Sequence, residues 1–350
     1  MTTSETLNYI SQQLNIYLGI AMFILGIIGS LWNMLIFRHY YFRLSSCCIY
    51  MLAGSIASLI QLIFGLLIRI LSEGFNIDLD LTNIAWCKIR NYITYCASLT
   101  ALSCFVWTSI DRYLSTCRQI KWRLLNSLFV AKQICLLTII LWMLINIPTL
   151  VYMKPIHLIK TCTSSSIIWS NILIYFINLF CYGIFPWVFM SIFGILTLRN
   201  LRHIHHQRIS PISAALTTRM TRIDHQLTSI LFSQIIISMI SSIPYLIQII
   251  YANLTRSVVK DTYRQAQENL YYQIVCLAFY LNYVSMFYVN YISSTIFRRL
   301  SRKVLINLFK KKEDVSKGIT LVNHQRNNKQ SRHKKLKIFT THFHRTTSIL

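Results

Sequence analysis

The chain runs to 350 residues, 54% hydrophobic and only 13% charged, with a mean hydropathy of +0.48. An ordinary soluble domain carries about 25% charged residues, so this composition excludes that class and points to a membrane protein. The formal net charge of +25 raises nucleic-acid binding as an alternative, and the distribution of that charge along the chain decides against it.

Residues 1–14 form a short polar tail. Seven apolar runs follow, at about 15–37, 46–70, 88–110, 131–153, 171–198, 228–251 and 271–294. Each is long enough to cross a bilayer as a helix, which takes roughly 20 residues; they are numbered spans one to seven. Span one lacks a small-residue cleavage site, so it reads as a retained span and not a signal peptide. The runs are continuous, unlike the short alternating segments of a β-barrel. From Ser293 the pattern becomes a basic amphipathic helix over 295–310. Phe297, Leu300, Val304 and Leu308 share one face there, while Arg298, Arg299, Arg302 and Lys303 interleave. Such a helix is expected to lie on the membrane surface with its basic side toward anionic lipid. Residues 311–350 are basic and rich in Ser and Thr, an expected disordered tail. The expected fold class is an all-α membrane protein: a seven-transmembrane helix bundle over 15–294 with a short amphipathic eighth helix.

Of the 35 Lys and Arg residues, 15 lie in 298–350, five in 112–132, five in 199–227 and two in 38–45. These 27 share one side of a seven-span chain and leave eight for the other. Positive residues accumulate on the cytoplasmic side, which predicts an extracellular N-terminus and a cytoplasmic C-terminus. Glu5, Glu73, Asp78, Asp80, Asp261 and Glu268 fall on the outside. A plasma-membrane, multi-pass protein is expected, with lipid and not nucleic acid as the partner of its basic segments.

Eight of the ten cysteines fall within spans or near cytoplasmic ends, where buried thiols are the default. Only Cys87 and Cys162 lie outside, so a bond between them is the natural assignment in an oxidising compartment, two unrelated thiols being the alternative. At the cytoplasmic end of span three stands Asp111-Arg112-Tyr113. Ionised residues at the end of a hydrophobic span are there for function more often than for stability, because hydrocarbon disfavours charge. Arg112 keeps its proton and needs an anionic partner when buried. Asp111 adjoins it, and Asp224 stands at the inner end of span six, twenty residues before Pro244.

Together these residues resemble the rhodopsin-like (class A) G-protein-coupled receptors over about 15–310. Cys87 lies 25 residues before Arg112, the separation that family shows. Asn33, Leu52-Ala53, Trp142, Pro186 and Pro244 match its landmarks in spans one, two, four, five and six, and Phe297-Arg298 resembles the start of its eighth helix. The aromatic-rich spans are also similar to those of FMRFamide-type and other neuropeptide receptors. The resemblance implies a receptor domain over 15–294 that binds an extracellular ligand, a small neuropeptide, and activates a heterotrimeric G protein by moving helix six away from helix three. An Arg112–Asp224 bridge resembles the family's inactive-state lock, with a solvated Asp224 as the alternative. Pro186 and Pro244 are candidate pivots, or static kinks. Arrestin and a receptor kinase are implied partners, the kinase acting on the Ser and Thr of the tail.

Some positions depart from that family. Span two has Ile56 where an acid is usual, span six reads Ser241-Ser242-Ile243-Pro244 without a tryptophan, and Gly194 replaces a common tyrosine. Span seven offers Met286-Phe287-Tyr288-Val289-Asn290 in place of Asn-Pro-x-x-Tyr. The ligand is expected between the outer halves of spans three, five, six and seven, lined by Tyr92, Tyr95, Asn171, Tyr175, Tyr245, Gln248, Tyr251, Tyr272, Gln273 and Tyr280, or these residues are core packing. Span three has no acid in its outer half, against an amine ligand, and span seven no lysine, against a retinal Schiff base. Arg69 either snorkels outward or faces a ligand acid. Asn253-Leu254-Thr255 is a candidate glycosylation sequon. The competing readings are a chemosensory receptor for a non-peptide molecule and a seven-helix transporter. All ten histidines lie in loops or the tail, so no enzyme, metal site or cofactor is expected.

Overall fold

In a bilayer every backbone N–H and C=O must find a partner within the protein, so long apolar runs become helices. The computed structural model describes residues 3–38, 45–117, 119, 121–122, 125–156, 161–206 and 214–306, without the side chains of 161, 202–206, 214–225 and 227. It folds seven helices long and apolar enough to cross a membrane: Thr3–Phe37, Ser46–Gly74, Ile84–Thr116, Leu128–Tyr152, Ile167–Leu201, Thr228–Leu254 and Thr262–Ser293. These occupy the seven predicted spans and keep their numbers. Residues up to Arg298 form one unit; those from Arg299 form a second, of which 299–306 are described and helical. The expected tail at 311–350 lies outside the described residues.

Most helices run past their apolar cores into polar turns. Span one starts at Thr3, so most of the expected tail is helix. Its Ser11 and Asn15 are buried, and Gln12 Nε2 donates to the Gly74 carbonyl at 2.8 Å, which satisfies the end of span two. Span three opens on Asn83, whose side chain accepts the Ala85 N–H at 2.8 Å, an Asx-type start. It runs to Thr116, which places Asp111-Arg112-Tyr113 about one turn inside the helix rather than at its end.

Span four breaks at Asn146, between Leu128–Ile145 and Ile147–Tyr152. Pro148 occupies the first turn of the second piece, where its missing N–H costs nothing. Span five is π-helical over Ile172–Ile184. The wide turns end just before Pro186, which has no N–H to give, and Asn178 Nδ2 takes the Leu173 carbonyl at 2.7 Å. Span two carries similar turns at Leu62–Leu67 and Ile70–Gly74. Pro244 lies inside span six.

Span one shows how the bundle faces lipid. Ile24, Ile28, Leu31 and Leu35 are exposed, while Gly19, Gly26, Gly29, Ser30 and Asn33 are buried. That inverts a soluble helix and suits a hydrocarbon solvent, where small residues let helices approach. At Gly26 an added Cβ would stand 2.7 Å from Leu62 Cδ1, so glycine sets the distance between spans one and two. Indole N–H groups stitch spans three and four: Trp142 Nε1 donates to Ser103 Oγ at 2.8 Å and Trp107 Nε1 to Thr138 Oγ1 at 3.0 Å.

A hairpin not foreseen from the sequence follows span four. β1 (Met153–Ile156) pairs antiparallel with β2 (Thr161–Ser164), Pro155 opposite Cys162. The Cys87–Cys162 disulfide, Cα atoms 6.0 Å apart, pins this hairpin to the start of span three. After span seven the backbone breaks at Ser294 and helix restarts, with Ser294 Oγ capping the Phe297 N–H at 3.1 Å. The Phe297 ring packs between Phe37 and Phe287, at 5.7 and 6.0 Å.

Candidate functional site

Two polar regions stand out, one at each end of the bundle. At the end away from the hairpin, Asp111 and Arg112 pair at 2.7 Å, 4% and 5% exposed. A charge buried this deeply survives only with a close counter-charge. Tyr113 leaves the pair and meets the Phe193 ring of span five at 5.5 Å. Beside Asp111 a cavity of about 520 Å3 is walled by Tyr50, Trp107, Tyr113, Trp122 and Phe193. The side chain of Asp224 lies outside the described residues, and with it the expected bridge to Arg112.

At the same end span six is fastened to span seven. Gln226 Oε1 accepts from Ser294 Oγ at 3.0 Å and from the Ile296 N–H at 3.1 Å, and Gln226 Nε2 donates to Thr295 Oγ1 at 2.5 Å. Ser293 Oγ and Ser233 Oγ meet at 3.1 Å. Nearer mid-bundle Asn282 Nδ2 donates to Ser242 Oγ at 3.0 Å, so the serine that departs from the expected tryptophan motif supplies an acceptor to span seven. Asn290 Nδ2 donates to Asn33 Oδ1 at 3.3 Å, joining spans seven and one. Nothing in the sequence singles out Gln226, one amide in a polar stretch.

At the hairpin end, spans two and seven meet along a polar seam. Gln61, Gly65, Arg69 and Glu73 recur every four residues in span two, a spacing that keeps side chains on one helical face. Gln273 of span seven, 1% exposed, fills all four of its hydrogen-bonding positions, two of them against that face. Its Oε1 accepts from Arg69 Nη2 and from Asn15 Nδ2, the latter at 3.0 Å. Its Nε2 donates to Glu73 Oε2 at 2.6 Å and to Asn269 Oδ1 at 3.4 Å. The Arg69 guanidinium also stands over the Tyr272 ring, 5.2 Å from its centroid. Within this seam Arg69 Nε, Asn15 Oδ1, Gln61 Oε1, Ser58 Oγ and Tyr283 Oη are buried with no hydrogen-bond partner in the protein. Each such atom costs about 1–3 kcal/mol, and others occur elsewhere in the bundle, Trp187 Nε1 and Ser238 Oγ among them. What sets the seam apart is that one of its atoms belongs to a cation, Arg69, that no described carboxylate contacts directly.

Toward the centre the seam continues as an aromatic cluster. Tyr245 stacks on Phe279 at 4.6 Å, and Tyr182, Tyr280 and Tyr283 surround the same ring at 5.5, 6.4 and 5.8 Å. Tyr182 is hydrogen-bonded to Ser98. Tyr280 Oη lies over Gly65, where any Cβ would stand 2.8 Å from it; this close approach requires the glycine.

Of the expected liners, the structure gathers Tyr245, Gln273 and Tyr280 into the seam and cluster, with Tyr272 at the edge and Tyr95 within electrostatic reach of Tyr182, Tyr245 and Tyr280. Gln248 is buried in span six. Others point elsewhere. Tyr92 donates to the Met143 carbonyl on an exposed flank at 3.1 Å, Asn171 is exposed, and Tyr175, 48% exposed, accepts from Asn253 Nδ2 at 3.1 Å. The candidate glycosylation site Asn253 therefore sits in the last turn of its helix with its amide engaged. Tyr251 joins a rim cluster, donating to Glu268 at 2.8 Å while Lys260 and Arg264 pair with the same carboxylate at 2.5 and 3.1 Å. Sequence reasoning left out Asn15, Glu73, Tyr182 and Phe279 as liners and did not commit on Arg69. The four-residue stripe in span two was the signal that could have found Arg69 and Glu73.

Between the rims, Asp80 pairs with Arg90 at 2.6 Å. Burial and the neighbouring Asp78 push its carboxyl above the ordinary range even though Arg90 pulls it down.

No curated protein matches the chain closely. Residues 31–284 match the sequence model of the seven-transmembrane receptor (rhodopsin family). That stretch spans most of the bundle, from Asn33 to the aromatic cluster of span seven, and the chain belongs to the rhodopsin family of seven-transmembrane receptors.

Proposed function

We propose that the protein resides in the plasma membrane, binds a small extracellular peptide at the hairpin end of its bundle, and activates a heterotrimeric G protein at the other end. The observation that carries this reading is the pairing of a buried Asp111–Arg112 ion pair at one end with a polar, aromatic seam at the other. The 27 basic residues on the Asp-Arg-Tyr side support a cytoplasmic position for that side. Helix six swings away from helix three about Pro244, uncovering Arg112 for a G-protein segment. That swing breaks the Gln226 contacts with Ser294, Thr295 and Ile296, and the bridge from Arg112 to Asp224. The hairpin, tethered through Cys87–Cys162, narrows the entrance over the ligand. The helix from Thr295 lies on the inner leaflet, and the Ser and Thr of the tail offer sites to a receptor kinase and then arrestin.

The test is G-protein activation in transfected cells exposed to a peptide library and to a panel of non-peptide small molecules, with solute uptake and current measured in the same cells. A peptide response that disappears in Arg112→Gln supports the proposal. Responses to non-peptides alone favour a chemosensory receptor, and solute flux without any signalling overturns the receptor mechanism in favour of transport. Asp224→Asn should raise ligand-free signalling, and unchanged basal activity in a well-expressed variant sinks the lock.

A further inference from the structure

The cation at the hairpin end of span two lacks an anionic contact. Among the described residues no carboxylate lies within ion-pairing distance of Arg69. Glu73, one turn further along, binds Gln273 instead. Arg69 spends one N–H on the Gln273 carbonyl oxygen and lays one face on Tyr272, while its Nε is buried without an acceptor. Of the other acids at this end, Asp80 pairs with Arg90, Glu268 pairs with Lys260 and Arg264, and Asp78 accepts from Ser72 Oγ at 2.5 Å.

Gln273 cannot turn to help, because its four positions are filled by Arg69, Asn15, Glu73 and Asn269. It therefore fixes the guanidinium in orientation. Below Arg69 on the same face, Gly65 leaves the space that the Tyr280 hydroxyl enters. Tyr280 also lies near Arg69. Arg90 is paired with Asp80 at 2.6 Å, and Glu73 reaches Arg69 only through Gln273, so Arg69 is the cation of this seam that no carboxylate contacts directly. A guanidinium is a planar fork that matches a carboxylate with two parallel hydrogen bonds.

We propose that Arg69, held by Gln273 and Tyr272, is an anion subsite that takes a carboxylate of the ligand. This rests on the receptor reading above for the identity of the site, and adds to it the ligand's chemistry. Two sources present that group: the free C-terminus or acidic side chain of a peptide, and a small carboxylic acid. An amine or a C-terminally amidated peptide without an acid does not satisfy the site.

The test uses the full chain purified into nanodiscs, with thermal stabilisation as the binding readout and G-protein activation recorded separately. One tetrapeptide library is made twice, with free C-terminal carboxylates and as C-terminal amides, and a panel of monocarboxylic acids forms the third arm. The expected result is stabilisation by members of the free-acid library or the acid panel, whichever is the source. It should weaken by about 30-fold or more in Arg69→Gln, as truncating one partner of a buried charge pair does. Arg69→Lys, which keeps the charge and loses the fork, should fall between. The unliganded melting temperature of each variant shows whether it is folded, and Gln273→Leu, which leaves Arg69 in place but unheld, gives a second reading of the same site.

Equal binding of free acids and of amides that carry no acidic side chain, binding untouched by either substitution at Arg69, or no binding of any carboxylate overturns the subsite. Amides that bind only when they contain Asp or Glu identify a side chain as the source. Arg69-dependent binding of acids without any G-protein response leaves the subsite standing and defeats the signalling reading instead.

Discussion

At one end of the bundle Asp111 and Arg112 meet at 2.7 Å and Gln226 is bonded to three groups of the chain beyond span seven. At the other, Arg69 meets an amide and a ring, and five polar atoms of the seam, its own Nε among them, are buried without partners. Both regions take polar groups out of water, but the first pairs its cation with a carboxylate in direct contact, whereas Arg69 reaches Glu73 only through Gln273. A self-compensated region holds one state until something displaces its contacts, whereas an under-compensated region gains free energy from whatever brings the missing partners. Under the proposed function, holding falls to one end and recognition to the other.

The largest effect should come from uncoupling the hairpin. Cys87→Ser or Cys162→Ser opens a loop of 75 residues, whose closure is worth about 4 kcal/mol in the chain-entropy model. The expected outcome is loss of surface expression or of ligand response, while basal signalling per folded molecule stays unchanged; altered basal signalling would show that the hairpin end also holds the switch. Next in size is Arg112→Gln, which leaves Asp111 as a buried carboxylate without its cation. Breaking such a pair costs about 3 kcal/mol, read as a lower melting temperature together with lost G-protein activation. The paired variant Asp111→Asn, Arg112→Gln should recover stability and not signalling, and recovery of both would deny the pair its role.

How far these regions could be read in advance depended on what each is made of. The seven spans follow from long apolar runs, and Cys87–Cys162 from being the outward pair, so both were legible. The azimuth of each helix was not. Span five is apolar almost all round, so nothing in its sequence says that Tyr175 looks outward while Tyr182 looks in; a helix with little amphipathic contrast takes its rotation from packing. The hairpin was missed because four-residue strands carry too little alternation. Arg69 was visible as a charge at a span end, yet the choice between snorkelling and ligand contact required Gln273 and Tyr272, more than 200 residues away. The π-helical turns of spans two and five are set by packing and by Pro186, with no marker of their own.

Gln226→Ala tests the holding end more gently. It removes three hydrogen bonds across the span six and span seven junction, a shift of about 1 kcal/mol if water replaces most of them. In a two-state switch that raises the active population about fivefold, so ligand-free G-protein activation should rise by about that factor while the melting temperature barely moves. Thr295→Val, which deletes one of the partners, should rise less. No change in either variant would mean that the clasp rides with helix six rather than restraining it.

The smallest expected effect serves as the control for both regions. Trp142→Phe keeps most of the ring between spans three and four and deletes the Nε1 donor to Ser103. Ser103 is left without that partner in a buried site, at a cost of about 1 kcal/mol, which corresponds to a fall in melting temperature of about 1–2 °C for a chain of this size. The contact joins span three to span four more than two turns from Arg112, and span four takes part in neither the proposed swing of helix six nor the Arg69 seam. Basal signalling and ligand potency should therefore stay at the wild-type value while stability drops. A rise in basal signalling here would show that any loosening of the bundle activates the receptor, and the fivefold effect expected of Gln226→Ala would then report general softness instead of a specific restraint.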